Sequence, residues 1–533
     1  MYNQQHLLIV LIVTEILLIC PVTVAFTTHH RRSPHIKKVS LANHQHQDDI
    51  QTLEQVILQK LQRITTGYET HINNMIQSLE VELELCIKTE KCLLRGGISS
   101  DDNMQHDGNR SLLLSEKYRS KSNTMKQCFD TNYQVVQQLL LGPSSTDTSN
   151  LLQKIQCYPS TSDNNEDLML GNGGVTNTKQ KEIDGYDTAQ QVIHHTSRDW
   201  TSGSKSCREA TNGWIVNALV ENTLTSTTAS SSTTDRREIR VLVPGAGLGR
   251  LAYDIATSTK LQDYGVDVHV EANDSSVTMA FATQSVLEII SSQQQKQQYM
   301  IHPFISDPTR NEVDSKKRFE YETLPDNDAL HAYQRYYFGS SSDNNSINNN
   351  EDTNTNTLLP NLSYTVGDFV STYSQSIKQS QYDVIATSFF LDTATNIYEY
   401  IMIMKHLLKQ QSSTSLWINC GPVQWHPCAL LHPTVDELYD MLVVCGFELI
   451  SWEIDDNEVV AYRHPDDCGS VMEGGEGIAR YTRSEGYCPL RFVARLVDED
   501  GDDNNGDDDD DLPLRIEYCE YLNGVASGGG SST

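Results

Sequence analysis

No two of the 12 cysteines in this chain stand in a C-x-x-C pair. Zinc knuckles and redox dithiols use that spacing, so neither is indicated. Cations are scarce as well: 40 Lys and Arg stand against 71 Asp and Glu, leaving a formal net charge of −31. Binding a phosphate backbone takes clustered Lys and Arg, so this balance argues against nucleic acid as a partner. A basic small molecule or peptide is the easier ligand electrostatically. The apolar N-terminal run, Leu7 to Cys20, is broken by Thr14 and Glu15 and is shorter than the ~20 residues that span a bilayer. The small residues near Val24 and Ala25 suit cleavage, so residues 1–26 read as a signal or targeting segment, although the start lacks Lys or Arg. Residues 27–38 are basic and free of acid, as transit peptides are. The secretory pathway or an organelle is favoured over the cytosol, without stable membrane insertion of the mature chain.

Most of the cysteines read as buried free thiols. His426 and Cys428 are close in sequence, but no second ligand pair stands nearby, so no metal is assigned. Asn109, Asn344 and Asn361 each head an N-x-S glycosylation sequon, meaningful only in a secreted chain.

With 533 residues the chain has room for two or three domains. From about Asp48 to Leu94, apolar residues such as Ile57, Leu61, Tyr68 and Ile72 recur at helical steps. The stretch suits a helix packed on its own domain, or a coiled coil that leaves homodimerisation open. Residues 96–124 and 158–184 are polar and predict loops, with a helix MKQCFDTNYQVVQQLLL between them. Residues 27–185 thus form an N-terminal helical region. From 186 to 497, strands and helices alternate, which predicts a mostly parallel α/β sheet with helices on both faces. The tract 340–357, rich in Asn and Asp, is a solvated insertion, and residues 498–533 open with a run of acids that predicts a disordered tail. Thr434 and Glu437 have the spacing of a capping box, and Gly446 suits the end of the helix they open.

The most informative segment is VLVPGAGLGR, Val241 to Arg250. It predicts a buried strand, a glycine turn and a helix from about Leu251. Gly245, Gly247 and Gly249 would then bring backbone N–H groups and a helix start close to a nucleotide-like ligand. Arg250 occupies the place where the dinucleotide fingerprint has its third glycine, which argues against a pyrophosphate cofactor and for S-adenosylmethionine. The next strand, VDVHVEAND, ends on Asp274, where an acid accepts from ribose hydroxyls; Asn273-Asp274 equally suits a turn or a helix N-cap.

Several segments together resemble the carnosine N-methyltransferase family: SRDWTSGSKSCRE, VLVPGAGLGRLAYDIA, YTVGDF, ATSFFLDTATNIYEYI and WINCGPVQWH. The resemblance implies a class I S-adenosylmethionine-dependent methyltransferase fold, Rossmann-like, and methyl transfer to the imidazole of carnosine to give anserine. It implies cofactor contacts at His195, Arg198, Gly245, Gly247, Gly249, Asp274, Asp368, Phe369 and Ser388. It implies substrate contacts at Asp392, His426 and Tyr487, with Asp392 and His426 catalytic. The family has Gln at the place of His195, Cys at that of Ser388, and a tyrosine cluster where Glu485 and Gly486 precede Tyr487. Each role has a plainer counterpart. Asp368 suits a Gly-Asp turn, Arg198 an ion pair on a helix surface, Asp392 a structural N–H acceptor, and His426 an ordinary satisfied polar group. Two other functions stay open: a nicotinamide-dependent oxidoreductase, and a secreted binding module without catalysis.

Overall fold

The computed structural model describes residues 35–96, 109–142, 155–157, 188–225, 237–292, 298–305, 317–338, 359–409, 415–454, 459–462 and 486–497. The targeting segment, the 158–184 loop, the 340–357 insertion, the acidic tail and the Asn344 sequon lie outside these residues. The chain falls into two units, 1–55 and 56–533. In the first, the described residues are helical from His35 onward; all that follows concerns the second.

In chain order the longer helices are α1 (His35–Gly96), α2 (Asn109–Leu141), α3 (Ala189–Trp200), α4 (Trp214–Thr225), α5 (Arg250–Ala256), α6 (Val277–Ser291), α7 (Asn327–Phe338), α8 (Ile397–Leu407) and α9 (Val435–Val444). The strands are β1 (Ile155–Cys157), β2 (Arg237–Pro244), β3 (Val266–Asp274), β4 (Tyr299–Ile301), β5 (Glu322–Leu324), β6 (Leu362–Val366), β7 (Val384–Thr387), β8 (Leu416–Gly421), β9 (Phe447–Ile454), β10 (Val460–Ala461), β11 (Gly486–Tyr487) and β12 (Leu490–Leu496).

Eight strands form one sheet in the order β1-β6-β3-β2-β7-β8-β12-β9. The pairs from β1 to β8 are parallel, and β12 runs antiparallel to both β8 and β9. Successive side chains of a strand point to opposite faces, so the central strands feed two cores. Val241, Val243, Ala386 and Ile418 enter one core, with α5 and α6. Leu242, Ile385 and Trp417 enter the other, with α8 and α9. A sheet covered on both faces reads as the continuous apolar run seen in VLVP and VIAT. This is the expected α/β fold, the class I methyltransferase arrangement, with β1 added at one edge.

The helical region departs from expectation at one point. α2 starts at Asn109, inside the stretch read as loop to 124. The buried stripe there includes Ser115 and Ser122 besides Met125 and Phe129, at helical spacing but without the apolar signal. Glu90 of α1 accepts from the Ser115 N–H at 3.0 Å. Buried Asn132 then ties α2 to the sheet domain: its Nδ2 donates to the His302 carbonyl (3.0 Å) and its Oδ1 accepts from the His302 N–H (2.7 Å).

Thr434 and Glu437 form the expected capping box, and Gly446 takes a left-handed φ of 92° just past the helix end. The Asn361 amide points inward, donating to the carbonyls of Ala256 and Val268 at 3.0 Å each. A glycan there would replace one of these two N–H donors and crowd a site between two carbonyls, so in this fold Asn361 acts as a structural asparagine. The cysteines whose side chains are described are free thiols, and of these only Cys128, Cys207 and Cys420 are buried, fewer than expected. Among the described residues no helix is long and apolar enough to cross a membrane.

Candidate active site

β2 delivers its chain to the glycine corner at the carboxyl edge of the sheet, where ligands of open α/β folds lie. Gly245, Gly247 and Gly249 all have positive φ (63°, 53° and 72°), the region that L side chains avoid. A Cβ on Gly245 would collide with the Phe390 ring, and one on Gly249 would stand 2.8 Å from Thr283 Cγ2 of α6. Gly249 therefore provides the close packing expected of a third glycine. Arg250, which opens α5, is instead buried, its Nη1 donating to Asp326 Oδ2 and to the Asp199 carbonyl at 2.8 and 2.9 Å. Its place in the motif is thus structural, and it does not by itself separate one nucleotide cofactor from another.

Asp274 closes β3 beside this corner. Its Oδ2 accepts from the Gly247 N–H at 2.9 Å and its Oδ1 from the Ser276 N–H at 2.9 Å. The N-cap of α6 is Ser276, not Asp274. Arg198 and His195, one turn apart on α3, face Gly247 from the other side: a Cβ there would lie 3.4 Å from His195 Nδ1 and 3.5 Å from Arg198 Nη2. Arg198 pairs with Asp199 (Nε to Oδ1, 2.7 Å; Nη2 to Oδ2, 3.2 Å). This is the adjacent ion pair the sequence suggested, but it is buried, with side-chain exposures of 13% and 8%. Burial pushes the Asp199 carboxyl up, and the charge and hydrogen bond of Arg198, with the nearby His195 and Arg208, together more than reverse this, so it ends below the usual carboxylate range. Burial, then the Arg198 charge, bring the His195 imidazole down to about 3. His195 is therefore neutral at pH 7, and its Nδ1 accepts from Arg198 Nη2 at 3.0 Å, which places the ring proton on Nε2.

On the other flank, Asp368 caps the short helix Phe369–Tyr373. Its Oδ2 accepts from the Ser371 N–H (2.8 Å) and hydroxyl (2.9 Å) while the residue stays exposed. The turn role is thus observed. Phe369 is buried, with ring centroids 5.1 Å from Phe390 and 5.0 Å from Tyr400. It reaches Gly245 through Phe390, which makes an apolar floor beside the corner.

The apolar run in YDVIATSFF extends beyond the strand it forms: β7 stops at Thr387. Phe389 turns left-handed (φ 54°), and the chain leaves the sheet. Ser388, Phe389, Arg198, Gly245 and Tyr487 line a cavity of about 30 Å³, room for little more than water. The Ser388 hydroxyl and the Tyr487 hydroxyl are both buried, with no hydrogen-bond partner among the described residues. Burial holds the Tyr487 phenol well above its usual pKa, hence protonated at pH 7. Two expected site residues thus present unsatisfied hydroxyls to one cavity beside the glycine corner.

Asp392 and His426 stand apart from it, outside the residues that line the cavity. Asp392 sits half-exposed on the turn Leu391–Thr393. Its Oδ2 accepts from the Gln424 N–H at 3.2 Å, and its carbonyl accepts from the His426 N–H at 2.9 Å. Burial raises its pKa, with the Gln424 N–H opposing. The His426 ring is exposed, with Nδ1 2.9 Å from Cys428 Sγ. The two are neighbours through the backbone, and their side chains remain available to a ligand from the solvent side.

Asp199, Phe389 and Tyr462 went unsignalled as site residues. Tyr462, just past β10, accepts from Arg198 Nη1 at 2.9 Å, and only the fold brings it near. Asp199 had a local signal, since it adjoins Arg198 on a helix whose next residue, Trp200, is buried.

Strand order and glycine corner together are those of the class I methyltransferase fold. The sequence model of the family described as carnosine N-methyltransferase matches residues 175–462, and the chain belongs to that family. A carnosine N-methyltransferase of Schizosaccharomyces pombe is 28% identical over 244 residues, 46% of this chain and 54% of that protein. The Rattus norvegicus carnosine N-methyltransferase is 28% identical over 242 residues, 45% of this chain and 48% of that protein. The chain thus spans about half the length of the curated relatives it matches. Among solved structures, a methyltransferase from Aquifex aeolicus aligns with a TM-score of 0.26 at 9% identity, over 59% of this chain and 98% of that one. At that distance only the strand order speaks for the fold.

Proposed function

We propose that residues 186–497 form an S-adenosylmethionine-dependent N-methyltransferase domain that methylates the imidazole of carnosine, giving anserine, or of a related histidine-containing peptide. One observation carries the reading. Half-buried Arg198, the orphaned hydroxyls of Ser388 and Tyr487, and Gly245, which admits no Cβ, converge on one spot at the carboxyl edge of the sheet.

The donor set fits such a cofactor. Arg198 would face the methionine carboxylate, a charge-assisted pairing suited to its planar fork. Asp274 would offer carboxylate oxygens to the ribose, and Phe369 with Phe390 would supply the apolar surface for the adenine. Asp368, exposed beside them, would accept from the adenine amine. The cofactor supplies an electrophilic methyl on a sulfonium. The cavity is too small to enclose it, so the adenosine would lie in the crevice outside the strand ends.

The acceptor imidazole is mostly neutral at pH 7 and needs no strong base to attack. The chain's task is to present one ring nitrogen in line with the methyl, a positioning effect that can contribute ~7–11 kcal/mol. Asp392, basic when ionised, would accept the proton from the other ring nitrogen, with His426 beside it. Tyr487, held as the neutral phenol, would donate to the dipeptide.

The test is radiolabelled methyl transfer to carnosine, homocarnosine, free histidine and a histidine-bearing protein in parallel. Carnosine is expected to be labelled fastest. Binding of S-adenosylhomocysteine without labelling of any imidazole would sink the acceptor assignment. Tight NADH binding with no response to S-adenosylhomocysteine would turn the reading to an oxidoreductase.

A further inference from the structure

Phe389 is the one bulky residue near the site whose backbone is left-handed, with φ 54°. Such a conformation is strained for a side-chain-bearing residue and persists only where the surroundings hold it. Gly421 at the end of β8 leaves room for it: the Phe389 backbone nitrogen stands 2.8 Å from where a Cβ on Gly421 would be, so a side chain there would clash. The consequence is a split between two neighbouring rings. Phe390 goes to Gly245, Phe369 and Tyr400. Phe389 goes the other way and meets Arg198, its ring centroid 5.2 Å from the guanidinium carbon. Tyr462 lies 5.3 Å from that same carbon, and the rings of Tyr462 and Tyr487 stand edge-on to Phe389 at 5.2 and 5.3 Å. The edge of the guanidinium is held by Asp199 and its face by aromatic rings.

Resting on the cofactor reading above, we propose that Phe389 is a positioning residue for cofactor binding. Its ring, turned by the strained backbone, packs on the face of Arg198 and holds the guanidinium toward Gly247. A long cation left to itself would spread over many rotamers and lose that entropy on binding. Pinned by Asp199 and Phe389, Arg198 meets its ligand already oriented. The strain at position 389 is then a cost of aiming the ring.

The experiment measures S-adenosylhomocysteine binding by calorimetry, and kcat and KM for S-adenosylmethionine, in wild type, Phe389→Tyr, Phe389→Leu and Phe389→pentafluorophenylalanine. The fluorinated ring keeps the shape but inverts the charge distribution that attracts a cation, so a purely packing role would not feel it. Phe389→Tyr should bind like wild type. Phe389→Leu and the fluorinated variant should each lose roughly tenfold in affinity and show a roughly tenfold higher KM, as expected for a partly desolvated cation–ring contact, with kcat little changed. Undiminished affinity in the fluorinated variant would overturn the proposal, as would a loss confined to kcat. The fluorinated ring also answers the question if Phe389→Leu fails to fold. A wild-type protein that ignores S-adenosylhomocysteine would instead remove the cofactor reading, and this proposal with it.

Discussion

Asp392 illustrates how a carboxylate is readied without an ion partner of its own. The His426 N–H bonds its carbonyl and the Gln424 N–H bonds its Oδ2. These hold the residue in place while partial burial raises its pKa. A raised pKa makes it a better proton acceptor, provided it stays ionised, so activity that depends on it falls as pH drops through that pKa. Asp392→Ala should lower kcat by about 10²-fold or more, the usual worth of a positioned acid–base group. S-adenosylhomocysteine affinity should change by less than about twofold, because Asp392 lies outside the cavity beside the glycine corner. Parallel loss of turnover and cofactor affinity would contradict its assignment to the acceptor.

At the scale of elements, the glycine corner is a joint between β2, α5 and α6. Gly249 combines a left-handed φ of 72° with a Thr283 methyl 2.8 Å from any added Cβ. Gly249→Ala should cost about 2–4 kcal/mol, adding backbone strain to overpacking, read as a lower urea midpoint at unchanged m. A variant as stable as wild type would mean that α6 yields easily. This joint was legible in the sequence because glycines and buried valines are strong local signals. The start of α2 was not, since its buried stripe runs through Ser115 and Ser122. The end of β7 was hidden for the opposite reason: Ser-Phe-Phe-Leu continues an apolar run, and nothing local announces the turn at Phe389. Asp274 stands where the sequence put it, whereas Tyr462 joins Arg198 through a separation of 264 residues, beyond any local pattern. The side-chain distance of Asp392 and His426 from the cavity also depends on loop paths that only the fold sets.

At the scale of the whole molecule, charge and burial pull the pH dependence of stability in opposite directions. A net charge of −31 strains the fold by self-repulsion, and protonating carboxylates relieves it as pH falls. Against this, burial lowers the pKa of His71, His195 and His302. A histidine held below its unfolded value near 6.5 contributes stability that is fully present above that pH. The contribution is lost as pH falls toward the folded pKa, because the unfolded chain takes up the proton first. For His195 that window runs from about 6.5 down to about 3. His195→Gln keeps an acceptor for Arg198 and removes the titrating ring, while the carboxylate contribution stays common to both proteins. Going from pH 7.5 to 5.5, wild type should therefore lose about 1.4 kcal/mol more stability than His195→Gln, in urea unfolding at each pH. Parallel losses in the two proteins would mean that the His195 site admits the charged ring, and that Arg198 is not held against a neutral one.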